Sequence, residues 1–302
     1  MVNSQNKINV AIIGLGLLGG SLAMALENTE NYYRLGWTRN AEVRKWAIDN
    51  NVIDYTADNL AEILNQADIT VLCLPIPTIM SFIQENAQNI KKGSVVTDIG
   101  SVKEVIVNCG EKYLTPQGVY FIGSHPMAGT EKSGPDAAFK ELYDHAEVFI
   151  TKSVNSNADA FEKVVQLWKS INTSVVEIEA KEHDILVAHT SHISHILALS
   201  LTQAVLDCDD ELTKQQRFSG CATGFRDTSR IASSSSKMWR EIIENNQSAV
   251  LKTVIEFEKR YNRIGEIIKN KDFDALEAEF AKGKELRDSW IKYKNENHNC
   301  NW

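Results

Sequence analysis

Ile8-Asn9-Val10-Ala11-Ile12-Ile13, followed at once by Gly14-Leu15-Gly16-Leu17-Leu18-Gly19, decides the fold of this 302-residue chain. A short apolar run that stops on glycines and resumes at helical spacing in Ser21-Leu22-Ala23-Met24-Ala25-Leu26 reads as strand, tight turn and helix. Gly14 permits the sharp turn, Gly16 lets backbone amides approach a pyrophosphate, and Gly19 lets the helix lie close to the strand. The helix start then offers unpaired N–H groups and the positive end of its dipole to phosphate. A glycine turn alone is common. This one stands directly between a strand and a helix, so it points to a dinucleotide site contacted by Gly14, Leu15, Gly16, Leu17, Leu18 and Gly19.

Outward from that turn, Tyr32–Trp37 reads as a second strand ending in Thr38-Arg39-Asn40. Domains that prefer NAD place an Asp or Glu at this strand end, on the ribose 2′-hydroxyl. Arg39 stands there instead, beside Thr38, and its planar fork suits a 2′-phosphate, so NADP is the expected preference with NAD as the lesser cofactor. A solvated surface arginine is the plain alternative. Asp68–Leu74 is a third strand, whose end at Pro75-Ile76-Pro77 sets a rigid turn where the nicotinamide half should pass. Ser94–Asp98 and Val119–Ile122 are a fourth and a fifth, leading into Gly100-Ser101-Val102-Lys103 and into Gly123-Ser124-His125-Pro126-Met127-Ala128-Gly129-Thr130-Glu131. Two further strands, Glu147–Ile150 and Ser174–Glu177, flank a helix over Ala158–Ser170. Strands alternating with helices imply an α/β, doubly wound, mostly parallel sheet of Rossmann type over residues 1–179. From 180 to 302 the pattern is helical throughout and predicts a separate all-helical domain. Its first helix, Lys181–Leu206, is apolar almost all round, more than so small a domain buries alone, which predicts a partner subunit.

Composition narrows the class. At 43% hydrophobic and 24% charged the chain has an ordinary globular balance, and a net charge of −8 disfavours nucleic acid or an anionic membrane surface as partner. Any anionic ligand must be held by local cations. The five cysteines are scattered without CxxC spacing, which fits reduced thiols in the cytoplasm rather than disulfides or a zinc site. No run is expected to cross a membrane, and no signal peptide is apparent.

Three clusters carry chemistry. His125, beyond the fifth strand, is placed as a general base with an unperturbed pKa near ~6.5, the alternative being a structural loop histidine. Ser101 could orient a hydroxyl and Lys103 hold an anion; the alternative is an N-cap serine with a solvated lysine. In the helical half, Gly224-Phe225-Arg226-Asp227-Thr228-Ser229-Arg230 follows a histidine series of His183, His189, His192 and His195. His192 and His195 share a helix face within ~60°, but a zinc site lacks a third ligand, so no metal is expected. Arg226 and Arg230 either pair with Asp227 and Glu131 or turn a fork toward a carboxylate.

Taken together, GLGLLGGSLA, TDIGSVK, GSHPMAGTEKSG, SHISH and GFRDTSRIASSSSKMWR resemble the prephenate/arogenate dehydrogenase family of tyrosine biosynthesis, in its monofunctional form, over nearly the whole chain. The resemblance implies oxidative decarboxylation of a cyclohexadienol: hydride leaves ring C4 for the nicotinamide, a base takes the C4 hydroxyl proton, and CO2 departs as the ring aromatises. By motif position it makes His125 the catalytic base and Ser101 its hydroxyl-binding companion. Arg230 binds a substrate carboxylate, His195 lines the pocket, His183 stands at its mouth, and Glu131 with Asp227 forms an ionic network around Arg230. It also implies a homodimer intertwined through the helical half. The family's SHLPH reads SHISH here. There is no room for a fused chorismate mutase or ACT domain, so tyrosine would regulate at the active site. Prephenate is expected over arogenate. A β-hydroxyacid dehydrogenase would need a lysine along the interdomain helix, where only Lys181 stands, at its start; a non-catalytic dinucleotide sensor would need neither base nor carboxylate-binding arginine.

Overall fold

The structure is a computed structural model that describes residues 7–27, 29–130, 132, 134–152 and 157–298. Five parallel strands, β1 (Ile8–Ile13), β2 (Tyr32–Trp37), β3 (Ile69–Leu72), β4 (Val95–Asp98) and β5 (Tyr120–Phe121), form a sheet in the order β2-β1-β3-β4-β5. Helices α1 (Leu17–Leu26), α2 (Ala41–Asp49), α3 (Leu60–Gln66), α4 (Ile76–Asn86) and α5 (Glu104–Tyr113) connect them. The period-two alternation of β1 serves both faces. Val10 and Ile12 pack with residues of α1 and α2, Ala11 and Ile13 with residues of α3, α4 and α5. Burial on both faces is why these strands read as unbroken apolar runs.

The expected fifth strand is cut short, and the sheet is not single. After β5 the chain changes sheets at Ile122. Gly123–Pro126 becomes β6, antiparallel to β7 (Glu147–Thr151), which pairs in parallel with β8 (Ser174–Glu177) across α6 (Ala158–Lys169). The backbone amide of Ile122 still donates to the Val96 carbonyl at 3.0 Å. Beyond it, side chains replace the ladder: Asp98 Oδ1 accepts from the Ser124 amide at 3.2 Å, and the Thr97 and Ser124 hydroxyls bond each other. His125 therefore lies inside a strand, opposite Phe149, and not in a loop after one.

The change to helices alone falls at Ala180. α7 (Ala180–Val187) runs through a π-helical turn, Ala188–His192, into α8 (Ile193–Leu206); Ser194, where SHISH departs from SHLPH, lies just past that turn. α9 (Glu211–Gly220), α10 (Thr223–Ser229) and α11 (Ser236–Asn245) follow, with the Ser235 hydroxyl capping α11. The chain forms two compact units, Met1–Gln247 and Ser248–Trp302. The second consists of α12 (Gln247–Lys269) and α13 (Phe273–His298), joined by an Arg263–Glu279 ion pair at 2.8 Å.

One expectation about Lys181–Leu206 changes. By length and composition Ala180–Leu206 is apolar enough to cross a membrane, although no such run was expected. It nevertheless carries His183, Asp184 and His192 as buried polar groups, the first two bonded to His125 in β6 and to the start of α5, which a lipid-facing span does not do. Within one chain it is only partly buried, as expected of a helix too apolar for its own domain to cover. Ile193 and Ala198 are the buried residues of α8, while Leu199 is 49% exposed.

Candidate active site

The turns after β1, β2, β3 and β4 gather at the carboxyl edge of the sheet, where the strand order reverses beside β1. Gly14 has φ of +100°, and a Cβ there would meet the Cys73 carbonyl oxygen at 2.3 Å; one on Gly19 would meet the Gly14 oxygen at 1.9 Å. Gly16 opens onto free space instead, at a helix start with no side-chain cap and no acidic residue in its first turn. That cradle fits a pyrophosphate on the amides of α1. Leu15 and Leu17 are buried, so they offer main chain only, and the Leu18 carbonyl is taken by the Tyr143 hydroxyl at 2.9 Å. Pro75 is the N-cap of α4.

At the end of β2 the Arg39 side chain is exposed and makes no hydrogen bond among the described residues. The loop that carries it is pinned by Arg44, whose Nη1 donates to the Thr38 carbonyl at 2.7 Å and whose Nη2 pairs with Asp58 at 2.5 Å.

The loop after β4 differs from both of its expected readings. Lys103 neither holds an external anion nor lies in solvent: it is fully buried, with Nζ on Asp98 Oδ2 and on the Ser124 carbonyl at 2.8 Å. Burial pushes the Asp98 carboxyl up and the Lys103 amine down, and each opposes the other's shift. Ser101 does not cap α5, whose N-cap is Lys103; its half-buried hydroxyl makes no hydrogen bond among the described residues.

His125 is 9% exposed. Its Nδ1 lies 2.8 Å from Nε2 of His183, which is fully buried behind it rather than standing at a pocket mouth. His183 Nδ1 lies in turn 2.8 Å from Asp184 Oδ1. Burial, then the neighbouring His183, Lys103 and His192, hold His125 well below the ordinary histidine pKa. Burial also lowers His183, against the pull of Asp184, so both rings are neutral at physiological pH.

Asn246, at the break between α11 and α12, links this chain to the next histidine. Its Nδ2 donates to the Asp184 carbonyl at 2.7 Å and reaches His192 Nδ1 at 3.3 Å. Burial drives His192 down to about 4. The rings of His192 and His195 both meet Trp239, at centroid distances of 5.7 and 3.8 Å. Burial lowers the His195 pKa, helped by the nearby Arg230 charge and opposed by the Ile231 backbone. His195 Nδ1 and Trp239 Nε1 are buried without partners among the described residues. They border a cavity of about 320 Å³ lined by His195, Ile196, Leu199, Ile231, Trp239 and Arg240, at the low end of the size range for small-molecule sites.

Arg230 is exposed and directly precedes Ile231, which lines this cavity, and its charge is felt by His195. The expected network around it is not formed by Asp227, which pairs with Arg226 at 2.9 Å on the surface; Glu131 lies outside the described residues. Asp98, Asp184, Asn246 and Trp239 were not anticipated. The available signal for Asp184 was a charge beside a histidine within an otherwise apolar helical run.

Known proteins place the chain. The family model "Prephenate dehydrogenase, nucleotide-binding domain" matches residues 22–177, and "Prephenate dehydrogenase, dimerization domain" matches 179–282. The prephenate dehydrogenase of Bacillus subtilis is 32% identical over 287 residues, 94% of this chain and 76% of that one. The cyclohexadienyl dehydrogenase of Zymomonas mobilis is 30% identical over 285 residues, 92% of this chain and 94% of that one. The crystal structure of A. aeolicus prephenate dehydrogenase, solved with hydroxyphenyl propionate and NAD+, superimposes with a TM-score of 0.86 at 28% identity, covering 96% of this chain and all of that one. With matches that run through both the sheet and the helices, the chain belongs to the prephenate dehydrogenase family and is a nicotinamide-dinucleotide oxidoreductase.

Proposed function

We propose that this protein oxidatively decarboxylates prephenate to 4-hydroxyphenylpyruvate, with NADP preferred over NAD. The observation that carries the reading is His125, a buried neutral imidazole with one nitrogen engaged by His183 and the other left for a substrate proton. When bound, the nicotinamide accepts hydride from ring C4. His125 takes the C4 hydroxyl proton as the carbonyl forms, and the unengaged Ser101 hydroxyl orients that group. Arg230, next to the cavity-lining Ile231, binds a substrate carboxylate, and His195 packs against the ring. Among the described residues that line the cavity there is no carboxylate to receive an amine, which favours the keto acid prephenate over arogenate. Steady-state rates with both substrates and both cofactors test the reading; absence of turnover on either substrate overturns it.

The NADP preference rests on Arg39. Arg39→Ala weakens NADP by roughly 1.5–3 kcal/mol, the scale of a charge-assisted contact, and spares NAD. Equal losses for the two cofactors remove the assignment.

We infer a homodimer closed over the apolar face of α7 and α8. An obligate interface of this kind buries more than ~2,000 Å². Sedimentation at micromolar protein is expected to return the dimer mass, and a stable monomer contradicts it. The cysteines at 73, 109, 208 and 221 are free thiols, in keeping with a cytoplasmic site of action.

A further inference from the structure

Asp184 stands two hydrogen bonds behind His125. Its Oδ1 accepts from the Lys103 amide at 2.7 Å and lies 2.8 Å from His183 Nδ1, and its Oδ2 accepts from the Glu104 amide at 2.9 Å. A carboxylate offers only acceptors, so the proton between it and His183 belongs to His183 Nδ1. A neutral imidazole protonated at Nδ1 has a bare Nε2. That bare nitrogen faces His125 Nδ1 at 2.8 Å, so His125 Nδ1 must donate. Neutral His125 then holds its single proton on Nδ1, and the Nε2 lone pair remains on the side away from His183.

The histidine pair alone does not decide this. With the polarity reversed, His183 Nε2 would donate to His125 Nδ1 at the same distance. The His125 proton would then sit on Nε2, where a base must be empty. The carboxylate selects between two chains of identical geometry. Its two oxygens are held by the first amides at the start of α5, while Asn246 holds the main-chain carbonyl of the same residue.

We propose that Asp184, acting through His183, is a positioning residue that locks His125 in the Nδ1–H tautomer and so presents Nε2 as the proton acceptor. The proposal rests on the reading of His125 as the base. Histidine ring tautomers are read directly by long-range proton–nitrogen correlation on the intact chain with ring-labelled histidine, His125 being assigned by the signal lost in His125→Asn. The expected spectrum shows His125 protonated at Nδ1 and bare at Nε2. In Asp184→Asn the two tautomers mix or reverse. Its kcat falls by about a hundredfold, less than the ~10⁴ seen when a carboxylate that orients the base directly is lost, with KM for both ligands unchanged. A wild-type His125 protonated at Nε2 overturns the proposal even if the variant fails to fold. So does an Asp184→Asn protein with unaltered tautomer and kcat. Full turnover by His125→Asn would instead remove the base assignment, with the spectrum still deciding the tautomer.

Discussion

His125→Asn lowers kcat by at least about a hundredfold while prephenate and NADP still bind, because general-base assistance of this kind is typically worth ~10²–10⁴. Asparagine keeps a hydrogen-bonding side chain of similar reach in β6, so the loss reports the titrating nitrogen and not the packing. The same variant loses the acidic limb of its pH profile. In the wild type that limb lies lower than an unperturbed histidine would place it. The active form is the neutral ring, and protonation removes the lone pair that takes the substrate proton. Burial disfavours the charged ring, and His183, Lys103 and His192 disfavour it further, so acid must reach well below ~6.5 before kcat/KM falls by half. A limb at or above that value contradicts the buried geometry. Near-normal turnover in the variant with the same limb makes another group the base, and His195 is the next candidate.

Lys103→Met destabilises the fold by about 3–5 kcal/mol, the range for removing one partner of a buried ion pair. The variant leaves the Asp98 carboxylate without its cation in a site with no solvent exposure on either side chain. Methionine fills nearly the same volume, so the loss is electrostatic rather than a cavity effect. Adding Asp98→Leu to Lys103→Met is expected to recover part of the stability, since a hydrophobic replacement of the whole pair removes the stranded charge. Chemical denaturation of the two variants checks this; a single variant within about 1 kcal/mol of the wild type would mean the pair contributes little. The consequence reaches the site, because Lys103 also holds the Ser124 carbonyl one residue before His125.

These residues show where reading a sequence succeeds and where it stops. The turn of Gly14, Gly16 and Gly19, the first four strands, and the switch to helices at Ala180 were legible because each is a local signal: apolar period, glycine where the backbone crowds, a strand end with a known neighbour. The same register puts Arg39 after β2 and Pro75 at the start of α4. The break at Ile122 was not legible, because the apolar run Val119–Ile122 continues smoothly into Gly123, and only the side chains of Thr97 and Asp98 on another strand end the ladder. Lys103 read as a surface charge because nothing within its own stretch announces a buried carboxylate partner. Asp184 was passed over for a similar reason. Its meaning lies in contacts to Lys103 and Glu104, some eighty residues earlier, and in a ring that touches His125 across 58 residues. By itself the sequence determined most of the element types and the glycine turn between β1 and α1, which follow from short-range periodicity and backbone sterics, and its motifs carried the family resemblance. Only the tertiary structure decided which polar groups meet, because a buried hydrogen bond is chosen by geometry between distant segments and leaves no period along the chain.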